Sequence, residues 1–149
     1  MKRIDELIPA AIYIIKENDI PDKDSGIVPN EYKGYIDTFG ASIVQNGLIP
    51  AVIFFETAGG KEDRSITSES EKKGIYKNRN KLMKAILQVI LHNEKDTMTE
   101  KLETLFEYVT IKKKGGMTEK QVRQKVVEAA IAVKLALRTF AFKKENEND

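Results

Sequence analysis

The side chains of this chain with the clearest chemical meaning are lysines. Lys73, Lys77, Lys81 and Lys84 recur at i, i+4, i+8 and i+11, which puts them on one side of a helix. No acidic residue interrupts the run from Lys72 to Lys84, and Arg79 adds a positive charge at its flank. Cations in such a row can neutralise successive phosphates and release their counterions, giving salt-dependent affinity that ignores sequence. Contacts of that kind hold a strand without reading its bases. Tyr76, interleaved with the lysines, is placed either to stack on a base or to pack at the rim. Lys33, beside Tyr32 and Tyr35, forms a second patch of the same mixed type. Lys112 to Lys114, followed by two glycines, reads as a backbone clamp or simply a basic loop. The plain alternative for every one of these lysines is an ordinary solubilising surface.

Residues for bond-making chemistry are sparse. There is no cysteine, which removes disulfides, thiolate metal sites and cysteine nucleophiles, and suits a reducing cytoplasm. The single histidine, His92, falls near a helix C-terminus, where it interacts favourably with the helix dipole. No His-x-x-x-His or Glu-x-x-His spacing supports a metal site, and no Gly-x-Ser-x-Gly elbow supports a nucleophile. Gly60-Lys61 lacks the preceding glycine and following hydroxyl of a phosphate loop, since Phe55 and Glu62 stand there. The carboxylates alternate with lysines, as on solvated helix faces. We expect no catalytic residue, no metal and no cofactor.

The whole-chain balance adds little. Twenty-five Lys and Arg against 23 Asp and Glu leave a net charge of +2, so any electrostatic role comes from arrangement. The acidic pair Asp5-Glu6 and the short apolar run after it argue against a signal peptide, and no run approaches a membrane span.

Helical periodicity supplies the elements that must carry these residues. Helix one is expected over about 3–17, with Pro9 either kinking it or marking its true start. Helix two covers about 30–46, its face built from Ile36, Phe39 and Ile43. Gly34, Gly40, Ala41 and Ser42 are small enough for another backbone to approach closely. Gly47 should end helix two in the left-handed conformation, with Leu48 making the accompanying apolar contact and Pro50 in the first turn of helix three. Residues 58–70 read as an exposed loop. Three capping boxes, Ser68/Glu71, Thr97/Glu100 and Thr118/Gln121, should open helices four, five and six. The last helix should run to about Phe142. It has one apolar face through Val122, Val126, Ala129, Val133, Leu137 and Phe140, and a second through Val127, Ile131, Leu135 and Phe142. Residues 143–149 form a charged, frayed tail. The expected fold is all-α: a single domain spanning 1–149, a compact bundle of five or six helices.

One block carries a family resemblance. Phe39-Gly-Ala-Ser-Ile-Val-Gln-Asn-Gly-Leu-Ile-Pro-Ala, preceded by Tyr35, closely resembles the small helical subunit of the type III-B CRISPR effector, the Cmr complex. The alanine-rich stretch Ala129 to Ala141 is similar to that family's final helix, although the tryptophan often found there is absent and Leu137 or Phe140 fills its place. The resemblance implies an all-helical, non-catalytic protein. Several copies would stack along the guide–target duplex and pack against backbone subunits, with guide RNA and target RNA contacted through backbone charge and target cleavage left to other subunits. Sequence recognition would then come from base pairing.

Two readings follow. In the first, Lys33, Lys73, Lys77, Arg79, Lys81 and Lys84 touch nucleic acid, while Val127, Ile131, Leu135 and Phe142 meet a neighbouring subunit or copy. In the second, the chain is a helical scaffold acting only through protein contacts. Neither requires a membrane or a small-molecule substrate.

Overall fold

Helical periodicity closes into six helices among the described residues: α1 (Lys2–Glu17), α2 (Glu31–Asn46), α3 (Leu48–Glu56), α4 (Glu69–Asn93), α5 (Leu105–Lys114) and α6 (Glu119–Leu137). The computed structural model describes residues 2–56, 69–93 and 102–140, with side chains over 4–56, 77–92, 102–112 and 115–140. No strand occurs among the described residues, and the fold is a single all-α domain.

α1 continues through Pro9 rather than starting there, burying Ile4, Leu7, Ala11, Ile14 and Ile15. At its end the Asn18 side-chain amide donates to the Ile14 carbonyl at 2.8 Å, bonding an oxygen at the helix terminus, and Asp19 takes a φ of 56°. The loop that follows is shaped by Asp22, whose carboxylate accepts from the Asp24 and Ser25 amides; those bonds hold it below the usual carboxylate range.

The α2–α3 corner is one residue long. Gly47 N–H donates to the Ile43 carbonyl at 3.0 Å, closing α2, and the Gly47 carbonyl accepts from Ala51 at 3.3 Å, opening α3. Its φ is 95° as expected of glycine, but ψ is 164°, so the residue lies in the extended glycine-only region and not in the left-handed helical one. A left-handed Gly would have curled back; the extended one redirects the chain straight into α3. Leu48 is buried at the turn, and Phe55 of α3 returns to meet Phe39 of α2 edge-on at 5.3 Å. Gly34 and Gly40 mark no close backbone approach, because a Cβ at either would meet open space.

α5 begins later than the sequence spacing suggested. Leu102 to Thr104 are not helical, and the functioning capping box is Thr104/Glu107, with Glu107 N–H donating to Thr104 Oγ1 and Thr104 N–H donating to Glu107 Oε1. Thr97/Glu100 and the Ser68 cap lie outside the described residues, as does 57–68; Glu69 and Ser70, expected in the loop, already belong to α4. Glu56, the last residue of α3, adds an unforeseen second cap to α5, accepting from Leu105 N–H at 2.8 Å and Phe106 N–H at 2.9 Å.

α6 opens on the expected Thr118/Gln121 box and packs against α1, α4, α2 and α5. Of its first face Val122, Val126, Ala129, Val133 and Leu137 are buried as read, whereas Phe140 lies beyond the helix and is half-buried. It stops at Leu137, short of Phe142, because the amides of Arg138, Thr139 and Phe140 bond three residues back to Leu135, Ala136 and Leu137, tightening the chain out of the α-helix. Phe142 lies outside the described residues.

Candidate nucleic-acid interface

α4 is the element that carries the basic row. Lys77 and Lys84 are exposed on it, and Lys73 lies one turn before Lys77. Lys81 is half-buried, and its Nζ donates to the Asp19 carbonyl at 3.1 Å, beside the C-terminus of α1. A cation there meets the negative end of the α1 dipole, so Lys81 stitches α4 to α1. Seven residues on, Gln88 Oε1 accepts from Asn18 at 2.7 Å and makes a second stitch between the same elements.

Arg79 sits elsewhere than the flank assigned to it. It precedes Leu82, Met83 and Ile86, all buried, by three, four and seven residues, so it shares their side of α4 and turns inward. Its guanidinium lies 5.0 Å from the ring centre of Phe54, 5.3 Å from Phe55 and 5.6 Å from Tyr35. Its Nε is buried and makes no hydrogen bond. The three rings therefore stabilise this charge through their faces. The i+3, i+4, i+7 spacing to the apolar stripe was the available signal.

Lys33 is exposed on α2, but the rings beside it work inside the fold. Tyr32 is 1% exposed and its hydroxyl donates to Asn78 Oδ1 at 3.1 Å, while the Asn78 amide donates to Glu31 at 2.8 Å. Burial, helped by the Glu31 charge, pushes the Tyr32 hydroxyl well above its ordinary range, which keeps it a neutral donor. Tyr35 is half-buried, meets Tyr32 edge-on at 6.0 Å and is raised in the same way, burial first. The Asn78 bridge ties the start of α2 to α4 next to Lys77. Tyr76 and Lys73 belong to α4, but their side chains lie outside the described ones.

The second apolar face of α6 is split. Val127 and Leu135 are half-buried against the core, whereas Ile131 is 37% exposed. Sequence spacing gave no reason to single out Phe54, which is 41% exposed on α3 with Arg79 against it. His92 is exposed in the last turn of α4.

Among the described residues no group of His, Asp or Glu is arranged to hold a metal, and no helix is long and apolar enough to cross a membrane. A small cleft between Leu7, Ile90, Lys125, Glu128 and Ala129 has about 10 Å³, room for roughly one water. No curated protein and no solved structure matches the chain. The family model for CRISPR-associated protein (Cas_Cmr5) matches residues 15–144, from the end of α1 through α6, and the chain belongs to that family, the small subunit of the type III-B CRISPR (Cmr) complex.

Proposed function

We propose that this chain is a non-catalytic structural subunit that lies along the guide–target duplex, stacks in several copies, and touches the nucleic-acid backbone through the outer side of α4. It performs no bond chemistry of its own and works in the cytoplasm. The observation that carries the reading is the acid-free basic row on α4, with Lys77 and Lys84 exposed within a subunit of an RNA-guided complex. The same reading assigns Lys73 and Lys33 to the nucleic-acid contact. Lys81 contributes less, because its ammonium is engaged at Asp19, and Arg79 contributes through its position among the rings.

The test is Lys73→Ala, Lys77→Ala and Lys84→Ala combined, a triple variant that spares the Lys81 stitch. If each lysine neutralises one phosphate of a single strand, the slope of log K against log salt flattens by about 2. Between 50 and 200 mM salt that amounts to roughly a 15- to 20-fold smaller fall in affinity. Unchanged slope in filter binding to single-stranded RNA, with unchanged target cleavage by the assembled complex, would refute the assignment.

The protein-only scaffold reading draws on Ile131, an exposed apolar residue on the central helix. In either reading Val127, Ile131, Leu135 and Phe142 are the proposed subunit contact. Ile131→Ser is the cleaner probe, since Leu135 is part of the packing. We expect intact folding by circular dichroism with weakened association in sedimentation; association equal to the parent protein's would remove this face.

A further inference from the structure

We propose that the exposed ring of Phe54, backed by the Arg79 guanidinium, is a stacking platform for an unpaired base of single-stranded nucleic acid, an inference that rests on the nucleic-acid reading above. Three rings lead from the core to the surface: Phe39 meets Phe55 at 5.3 Å, and Phe55 meets Phe54 at 5.4 Å and 71°. The first two are fully buried and the third is 41% exposed. Arg79 braces Phe54 from within at 5.0 Å while also touching Phe55 and Tyr35. The ring is thus held before any ligand arrives, so stacking on it costs little ordering. Every base offers a π-face, which makes such a platform tolerant of sequence, as a guide-independent subunit requires. A base supplies a flat π-face to a ring whose other side is held by the guanidinium, and the field of that cation favours an electron-rich base over an aliphatic protein side chain. Arg79 lies across α4 from Lys77 and Lys84, so this contact is separate from the lysine row.

The chain has no tryptophan, so Phe54→Trp installs a single fluorophore at the site. Titrating that variant with an oligoadenylate should quench its emission, and an abasic oligomer of the same length should not. In parallel, Phe54→Leu, which keeps apolar bulk but loses the ring, should weaken oligoadenylate binding about 5- to 150-fold at fixed salt. Its salt slope should be unchanged, because no phosphate contact is removed. Lysine-dependent binding without quenching, or equal quenching by the abasic oligomer, overturns the platform while leaving the phosphate row intact. Unaltered RNA affinity of Phe54→Leu together with lost association with other Cmr subunits overturns it in favour of a protein contact. Absence of any binding by the parent chain overturns both the platform and the reading beneath it.

Discussion

Replacing Glu56 by alanine asks whether α3 holds α5 in position. The carboxylate takes two of the four amides that open α5 and have no partner inside the helix, at 2.8 and 2.9 Å. The Thr104/Glu107 box already bonds the Glu107 and Thr104 amides, so Glu56 completes the end rather than duplicating it. An ordinary cap contributes about 0.5–2 kcal/mol, and a hydrogen bond to a charged group about 1.5–3 kcal/mol. Against that stand burial of the carboxylate and the nearby Glu107 charge. Burial is the larger, and together they outweigh the amide bonds and raise its pKa above the ordinary value. Because those costs offset much of the gain, a net loss of about 1 kcal/mol, toward the lower end of the cap range, is expected on Glu56→Ala. In a domain of this size that lowers Tm by about 2–4 °C. The raised pKa fixes the sign of the pH dependence. The native state holds the proton more tightly than the unfolded chain, so this contribution is fully present below the ordinary glutamate range. It declines as pH rises through the elevated native value. Stability relative to the non-titrating Glu56→Gln variant should thus shrink with rising pH across that window. Urea denaturation and amide exchange at Leu105 and Phe106 read both effects. Parental stability of Glu56→Ala, with unaltered protection of those amides, would refute the cross-helix cap.

Two further perturbations test the core arguments. Gly47→Ala should cost about 1–3 kcal/mol by urea denaturation through backbone strain alone, since φ is 95° and the nearest obstacle to a Cβ, Pro50 Cδ, is at an ordinary 3.8 Å. Arg79→Ala should cost about 2–3 kcal/mol by leaving three rings beside a void, whereas Arg79→Met, which fills the space and removes an unbonded buried Nε, should stay within about 1 kcal/mol of the parent; equal losses in the two variants would contradict that account.

What the sequence made legible follows the range of the interactions involved. Elements defined by contacts within one or two turns were readable: the stripe of α2, the Thr118 box, and the corner at Gly47, down to its positive φ. The start of α5 was ambiguous because Thr104-x-x-Glu matches the capping pattern as well as Thr97-x-x-Glu does, and Leu102, Leu105, Phe106 and Val109 fit a helix from either. Glu56 was invisible for a different reason. Its partners lie 49 and 50 residues away, and no local pattern distinguishes a carboxylate at the end of α3 from any solvated one.

Arg79 shows how charge can mislead where period does not. Counted by sign, it joins the lysines; counted by angle, it joins Leu82, Met83 and Ile86, and the structure follows the angle. A guanidinium is wide, flat and weakly hydrated, so it can be sunk against rings at a position where an ammonium would have to reach back to water. The cations of α4 with described side chains are of two kinds, solvated and structurally engaged. Lys77 and Lys84 keep solvated charge that a phosphate can borrow, Lys81 spends its charge on the end of α1, and Arg79 spends its charge on Tyr35, Phe54 and Phe55. α4 is thus a structural brace on its inner side, and only the solvated cations of its outer side enter the proposed phosphate row. On the proposed reading the number of phosphates it neutralises is accordingly smaller than its number of cations, which is why the salt slope, rather than the net charge, is the quantity that tests that reading.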